Sequence, residues 1–374
     1  MSGNACIISC SDHYAHRMDL WERCLQINGY VTQYITSDFD HATKQKFVCK
    51  VPGSVQLPVM EYRKNLSVQR ILSHRMFAKA AKTYLEQVKP DVIVALLPPN
   101  FLAHYLAAYK KKHPEVVLIF DIFDLWPETF PSGKLKELLA PAFRIWAGLR
   151  DRNLSAADFV TTECDLFREK LKLPEENSRT VYLCADPSPV VSSPALPADH
   201  LSLCYLGSIN NIIGIAEICE LIRNLSQQTK VRFHIIGSGE RTQELITRAE
   251  DAGADVIFHG AVYDPARKQQ ILDKCHFGLN IMKSSVCVGL TMKSVDYFRH
   301  GIPVINNIPA DTRSLVMTQD IGVQLDRDCV GKILSMSLEN HLQMRKNVNH
   351  VFDRFFTRTC AENTVCAILK QLLR

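Results

Sequence analysis

The chain has 374 residues, enough for two domains of ordinary size, and its 47% apolar and 22% charged side chains are the balance of a globular protein. A net charge of +5, with no Arg/Lys-rich arm and no zinc-type Cys/His spacing, excludes nucleic acid as a partner and suits acidic partners such as nucleoside diphosphates or an anionic membrane surface. Thirteen scattered cysteines with no Cys-x-x-Cys, no charged and apolar leader at the start, and no apolar window of about 18 residues predict a reduced, cytoplasmic protein with Cys6, Cys204 and Cys275 as small core residues.

In chain order, the first half alternates strand and helix. Strands are predicted over Ala5–Ser9, Val31–Thr36, Asp91–Leu96, Val116–Phe120, Asp158–Thr162 and Thr180–Leu183, with helical spacing over Met18–Ile27, 67–87 and 101–112. A stretch rich in Pro and Ser, 187–200, reads as a linker. The alternation then restarts: strands over Leu203–Leu206, Val231–Ile236, Asp255–His259, Phe277–Ile281 and Val304–Asn306, with helices near 214–225, 240–252, 265–273 and 292–300. Strands separated by helices of this length imply two parallel sheets, each covered on both faces, with ligands beyond the carboxyl ends of the strands. The division expected is 1–186, the linker 187–200, a second domain over 201–350, and a C-terminal helical stretch over 351–374.

Several segments place reactive side chains at predicted strand ends. After the first strand come Asp12, His13, His16 and Arg17, candidates for contact with an acceptor; the two His are three apart with no third ligand nearby, so no metal is expected. Phe120–Glu128 sets Asp121, Asp124 and Glu128 around Trp126, candidates for binding hydroxyls or taking a proton from an attacking hydroxyl. Gly207 and Ser208 follow the second domain's first strand, where a glycine lets a phosphate approach the backbone. Gly237-Ser238-Gly239 could open a dinucleotide fingerprint, but the third glycine would fall on Thr242. Basic amphipathic stretches at 63–82 and 142–152 could lie on an anionic membrane.

Residues 285–305 are the richest in chemistry. Thr291 can cap a helix over 292–300, Gly301 lies just past its end, and Pro303 forbids continuation. The helix start offers unpaired N–H groups and a positive dipole end, Gly289 permits close approach, and Lys293 adds a full charge. Asp296, on the same helical face as Lys293, could accept from vicinal hydroxyls such as those of a ribose.

The run Gly289–Ile305 resembles the nucleotide-sugar signature of family 4 glycosyltransferases of the GT-B fold. Its Gly-Leu-Thr-x-Lys-Ser-x-Asp-Tyr pattern, with the Asp-Leu-Trp-Pro-Glu run at 124–128, is more similar still to a subgroup of bacterial polysaccharide-assembly enzymes. The resemblance implies an α/β chain of two doubly wound, Rossmann-like domains facing a central cleft. It implies a retaining, metal-independent glycosyltransferase, peripheral on the inner face of the cell membrane, that uses no cofactor. Its substrates would be a nucleotide-diphosphate sugar and a glycan or lipid-linked acceptor. The donor would meet Gly207, Ser208, Gly237, Gly289, Leu290, Thr291, Lys293, Ser294 and Asp296, with Val262 and Tyr263 against the base. The sequence departs from the family pattern at Val288, where an acid is usual, at Ser208 and Ile213, where cations are usual, and at Phe123, where a His is usual. A nucleotide-sugar epimerase and a non-catalytic partner of a transferase are the alternative readings.

Overall fold

The computed structural model describes residues 3–11, 14–49, 51–129 and 139–373. They form two compact units, one of residues up to Tyr182 with the stretch from Ala361 on, the other Leu183–Cys360.

In the first unit the strands are β1 (Gly3–Ile8), β2 (Tyr30–Ser37), β3 (Phe39–Asp40), β4 (Gln45–Lys46), β5 (Val55–Leu57), β6 (Val92–Leu97), β7 (Val117–Ile122), β8 (Phe159–Thr162) and β9 (Ser178–Thr180). All but β3 and β4 join one sheet in the order β5-β2-β1-β6-β7-β8-β9, and every pairing in it is parallel. The central β6, Val-Ile-Val-Ala-Leu-Leu, is buried along its whole length, as a strand covered on both faces must be. The helices are α1 (Ala15–Ile27), α2 (Val68–Val88), α3 (Phe101–Lys112), α4 (Ala140–Asp151) and α5 (Asp165–Lys170).

In the second unit β10 (Leu201–Leu206), β11 (Val231–Ile236), β12 (Ala254–Gly260), β13 (Phe277–Asn280), β14 (Val304–Asn306) and β15 (Gly322–Gln324) form a parallel sheet ordered β12-β11-β10-β13-β14-β15. Its helices are α6 (Ile215–Ser226), α7 (Thr242–Asp251), α8 (Pro265–Leu272), α9 (Met292–Arg299), α10 (Asp311–Gln319), α11 (Cys329–Leu334) and α12 (Leu338–Val351). One face of the sheet packs Leu203, Tyr205, Phe233 and Ile235 against Ile218, Ile222 and Leu245 of α6 and α7. The last helix, α13, runs Arg358–Leu372, and within the first unit Cys24 Sγ donates to the Glu362 carbonyl at 3.6 Å. The thiols of Cys6, Cys204 and Cys275 are core residues, each at most 1% exposed.

Three sequence readings are corrected. The strand expected at Thr180–Leu183 is instead β9, because pairing with β8 begins at Ser178, and the Val181 carbonyl is taken by Arg17 Nη1 at 2.6 Å. The two-residue strands β3 and β4, too short to show a period, were not foreseen, nor were α10 to α12. The basic stretch 63–82 also does not sort into a basic side and an apolar side. Arg70 and His74 of α2 are buried, and Ile71 and Leu72 are exposed. In α4, Arg150 is buried while Ile145 is exposed.

Candidate functional site

In the second sheet the chain order reverses between β10 and β13, since β11 lies on one side of β10 and β13 on the other. Side-by-side strands whose following loops turn opposite ways leave a crevice at their carboxyl ends. Gly207 leaves β10 there, and the segment 281–291 leaves β13 there to enter α9.

The entry to α9 is built by its own residues. Thr291 has extended backbone, and its Oγ1 accepts from the Ser294 N–H at 3.0 Å, the N-cap read from the sequence. Thr312 ties the preceding turn by donating to the Gly289 carbonyl from its N–H at 3.0 Å and from its hydroxyl at 2.7 Å. The amides of Met292 and Lys293, first in the helix, have no partner among the described residues. Gly301, at φ +66°, ends the helix where a side chain would be strained.

Lys293 dominates the electrostatics of this turn. Its Nζ lies 3.8 Å from the centroid of the Tyr205 ring and donates to Tyr205 Oη. The Tyr205 hydroxyl in turn donates to the Ser208 carbonyl at 2.7 Å. No carboxylate pairs with Lys293 among the described residues, and burial lowers its ammonium to about 7. The side chain crosses Gly207, whose φ of +107° favours glycine; a Cβ there would lie in ordinary contact, 3.7 Å from Lys293 Cε. The carboxylate of half-buried Asp296 has no hydrogen bond among the described residues, and burial raises it above the usual range.

Other candidates of this unit have structural partners. Ser294 is fully buried, its hydroxyl 2.9 Å from Thr291 Oγ1 and accepting from Asn280 Nδ2 at 3.0 Å, so it supports the turn from behind. Leu290 is fully buried and fills the core under the turn. Gly237 (φ +142°) is a packing glycine, since a Cβ there would lie 2.0 Å from the Gly207 carbonyl oxygen; Gly239 meets Ile209 in the same way. The Gly-x-Gly thus fits two strand-end loops backbone to backbone and opens no dinucleotide site. Ser208 is exposed beside Gly207. Val262 is buried, and Tyr263 at 88% exposure stands clear of the chain.

In the first unit the candidate acids separate. Asp121 is fully buried and accepts from Arg17 Nε and Nη2, Trp21 Nε1 and Thr161 Oγ1, each at 2.7 Å. This network binds β7, α1 and β8 together, so Asp121 and Arg17 are corrected from substrate contacts to core partners. Replacing Asp121 by Asn would leave the Arg17 charge buried without compensation, and unfolding in urea should show a loss of about 3–5 kcal/mol. A loss below about 1 kcal/mol would return Asp121 to the list of reactive groups. Glu128 is held bidentately by Arg150, at 2.8 and 3.1 Å. Asp124 accepts from Thr129 Oγ1, and burial raises its carboxyl. His16 is exposed, and Asp12 and His13 lie outside the described residues.

Sequence reasoning missed the cavity beside Asp124. Ser9, Cys10 and Tyr14 after β1, Pro98 and Pro99 after β6, Trp126 after β7, and Arg70 and His74 of α2 line it, at the point where the first sheet's order reverses. The Arg70 guanidinium carbon is 4.1 Å from the centroid of a Trp126 ring, and His74 stacks on Trp126 with 5.9 Å between centroids. Tyr205, Thr312 and Asn280 were missed as well. Among the described residues no group of three or more His, Cys, Asp or Glu could hold a metal, and no helix is long and apolar enough to cross a membrane.

Two doubly wound sheets define an α/β protein of GT-B architecture, and comparison with solved structures gives the same class. Sucrose-phosphate synthase from Thermosynechococcus elongatus superposes with a TM-score of 0.71 at 13% identity, over 99% of each chain. The lipopolysaccharide outer core galactosyltransferase WaaB gives 0.70 at 13% identity over 98% of this chain and 99% of that one. HepE of Anabaena, in complex with UDP and glucose, gives 0.63 at 13% identity over 99% and 100%. At such identities these likenesses speak for the fold. Residues 200–322, which hold Gly207, Lys293 and Asp296, match the family of glycosyl transferases group 1. A comparison with curated proteins gave no match. The chain has the GT-B fold, and over residues 200–322 it is similar to group 1 glycosyl transferases, as the Gly289–Ile305 resemblance implied.

Proposed function

We propose that the chain moves a hexosyl or N-acetylhexosaminyl group from a nucleoside diphosphate sugar to a glycan or lipid-linked acceptor in polysaccharide biosynthesis, with retention and without a bound metal. The observation that carries the reading is Lys293, a half-buried ammonium with no carboxylate partner among the described residues, beside two open helix N-terminal amides and a positive-φ glycine. That arrangement is short of one anion. The HepE structure with UDP and glucose makes a nucleotide-linked sugar the natural candidate.

In this reading the diphosphate lies on the Met292 and Lys293 amides and the Lys293 ammonium, passing over Gly207. Asp296 accepts from the ribose hydroxyls, and Val262 and Tyr263 bound the base. The bond from the anomeric carbon to the diphosphate oxygen breaks as the acceptor oxygen bonds to that carbon. Lys293 and the helix terminus stabilise the charge that grows on the departing oxygen. The acceptor hydroxyl gives up its proton to a general base as the bond to the anomeric carbon forms, and Asp124, whose carboxyl burial raises, is the candidate for that base.

The first unit also carries a surface suited to an anionic bilayer. Between Glu61 and Glu86 there is no acid, whereas Arg63, Lys64, Arg75, Lys79 and Lys82 surround the exposed Leu66, Val68, Ile71, Leu72 and Met76. The protein should sediment with phosphatidylglycerol vesicles and not with phosphatidylcholine ones.

A thermal-shift panel of UDP-, GDP-, ADP- and CMP-sugars tests the donor site. One nucleotide class should stabilise the protein, and Lys293→Ala should weaken the effect. Equal stabilisation of both proteins would remove Lys293 from the site. No stabilisation by any donor would favour the non-catalytic reading, and donor conversion without acceptor the epimerase.

A further inference from the structure

The face of the second sheet opposite the α6–α7 core is unusual for a sheet covered by a helix. Pairing sets Ser202 beside Arg232 and Arg232 beside Asp255, and in the next layer Cys204 beside His234 and His234 beside Ile257. Buried faces of parallel strands are ordinarily runs of Val, Ile and Leu. Here Ser202, Arg232, His234 and His259 look instead into an open cavity of about 530 Å³, lined elsewhere by α8 and by Ala195 and Pro197. That is the size of a small-molecule site, and it shares no residue with the Gly207–Lys293 turn.

The floor of the cavity is polar and buried. Ser202 is 1% exposed, and its hydroxyl has no hydrogen-bond partner among the described residues. His234 is 6% exposed, and its Nδ1 lies 3.0 Å from His259 Nε2, with the two rings 5° from parallel. One of these imidazoles donates to the other, so they share a proton. Burial and their neighbours' charges lower both, His234 to about 4, so the pair is uncharged near neutrality.

The rim is cationic. Among the described residues no acidic side chain lines the cavity, and the acids nearest in sequence are already engaged: Asp255 with Arg232 at 2.8 Å, Asp199 with His200 at 2.8 Å, Asp264 with the Arg267 N–H at 2.7 Å, and Asp273 with Ser192 Oγ at 2.6 Å and Gln269 Nε2 at 2.8 Å. Arg267 and Lys274, on and just past α8, line the cavity with no ion pair among the described residues. A buried unpartnered hydroxyl, an imidazole pair with donor and acceptor capacity, and two uncompensated cations together match the oxygens and charge of a phosphoryl group.

We propose that this cavity is a second anion site of the chain, which takes the phosphoryl group of a small phosphorylated ligand. Inorganic phosphate and a phosphate monoester share the recognising chemistry, and the measurement separates them.

Isothermal titration of the full chain with inorganic phosphate and with glucose 6-phosphate is the test, run on wild type, on Arg267→Ala/Lys274→Ala and on Lys293→Ala. Wild type and Lys293→Ala should bind a phosphoryl probe alike, and the rim double variant should bind at least about tenfold more weakly, since one charge-assisted contact is worth that much. Both rim residues are exposed, so their loss should leave the fold intact; Ser202→Val, which blocks the floor, should weaken binding as well. Tighter binding of glucose 6-phosphate than of phosphate assigns the site to a monoester, and equal binding assigns it to free phosphate. No binding of either probe to wild type, or binding unchanged in the rim variant, would overturn the proposal. Binding lost in Lys293→Ala alone would place the anion at the donor turn and overturn it too.

Discussion

Lys293→Met should make the protein more stable and unable to hold its donor. In the ligand-free chain the ammonium is held away from water against the Tyr205 ring with no carboxylate to offset it, and burial brings it down from 10.5 to about 7. In the unfolded chain the same lysine is solvated and keeps its ordinary range. The folded state therefore carries a cost that methionine, of similar length and no charge, removes. A melting temperature raised by roughly 2 °C or more is expected, the equivalent of about 1 kcal/mol in a protein of this size. The linkage has a definite sign. Between about 7 and 10.5 the unfolded chain binds more protons than the folded one, so wild-type stability should rise with pH across that window. The variant should lack that contribution. With donor, the order reverses: truncating one partner of a buried charge pair typically costs about 2–5 kcal/mol, or roughly 30-fold or more in affinity. A variant less stable than wild type would mean that Lys293 holds the fold together and is not reserved for a ligand.

This opposition between stability and binding explains which parts of the site were legible in the sequence. The turn into α9 was readable because its features are local: Thr291 as cap, Gly289 before it, Lys293 one turn in, Gly301 and Pro303 at the end. Local rules reach no further than such a segment. Tyr205, which sets the environment of Lys293, lies 88 residues away in sequence. Ser294 sits in the same motif and reads as equally available, but Asn280 on β13 claims its hydroxyl from behind. In the first unit Asp121 shares a strand end with Asp124, and only the fold tells them apart, because Arg17 reaches Asp121 across 104 residues of sequence.

The alternation of strand and helix was legible for the same reason. The strands β6, β7, β10 and β11 are buried along all or nearly all of their length and mostly apolar, so their composition carries the signal without their neighbours. Helix α2 is the instructive exception. Its stretch read as basic and amphipathic, and Phe77 and Ala78 are indeed core, yet Arg70 and His74 turn into a cavity lined by Trp126 and Tyr62. A buried guanidinium among aromatic rings follows from tertiary placement, and no helical period distinguishes it from an exposed one.

Donor affinity should fall as pH rises above neutrality. Free Lys293 loses its proton near 7, and a diphosphate against the ammonium favours the charged form, so the bound complex keeps the proton to higher pH. Binding above pH 7 then takes up a proton. Affinity should be level below about pH 6 and should drop by up to about tenfold per unit between 7 and the bound-state value. A nucleoside diphosphate sugar has no phosphate ionisation in this range, since both of its phosphoryl groups are diesters. His234, His276, His300 and His341 do not produce the same profile, since burial lowers them to about 4. Asp296, raised by burial, acts at the acid end and with the opposite sign, because a protonated carboxyl accepts less well from ribose. Titration calorimetry at pH 8 in buffers of different ionisation enthalpy should show uptake of close to one proton. The same experiment on Lys293→Met should show none, with an affinity that does not change across the window. Proton uptake that persists in the variant would assign the titration to another group and would break the link between the buried ammonium and the departing diphosphate.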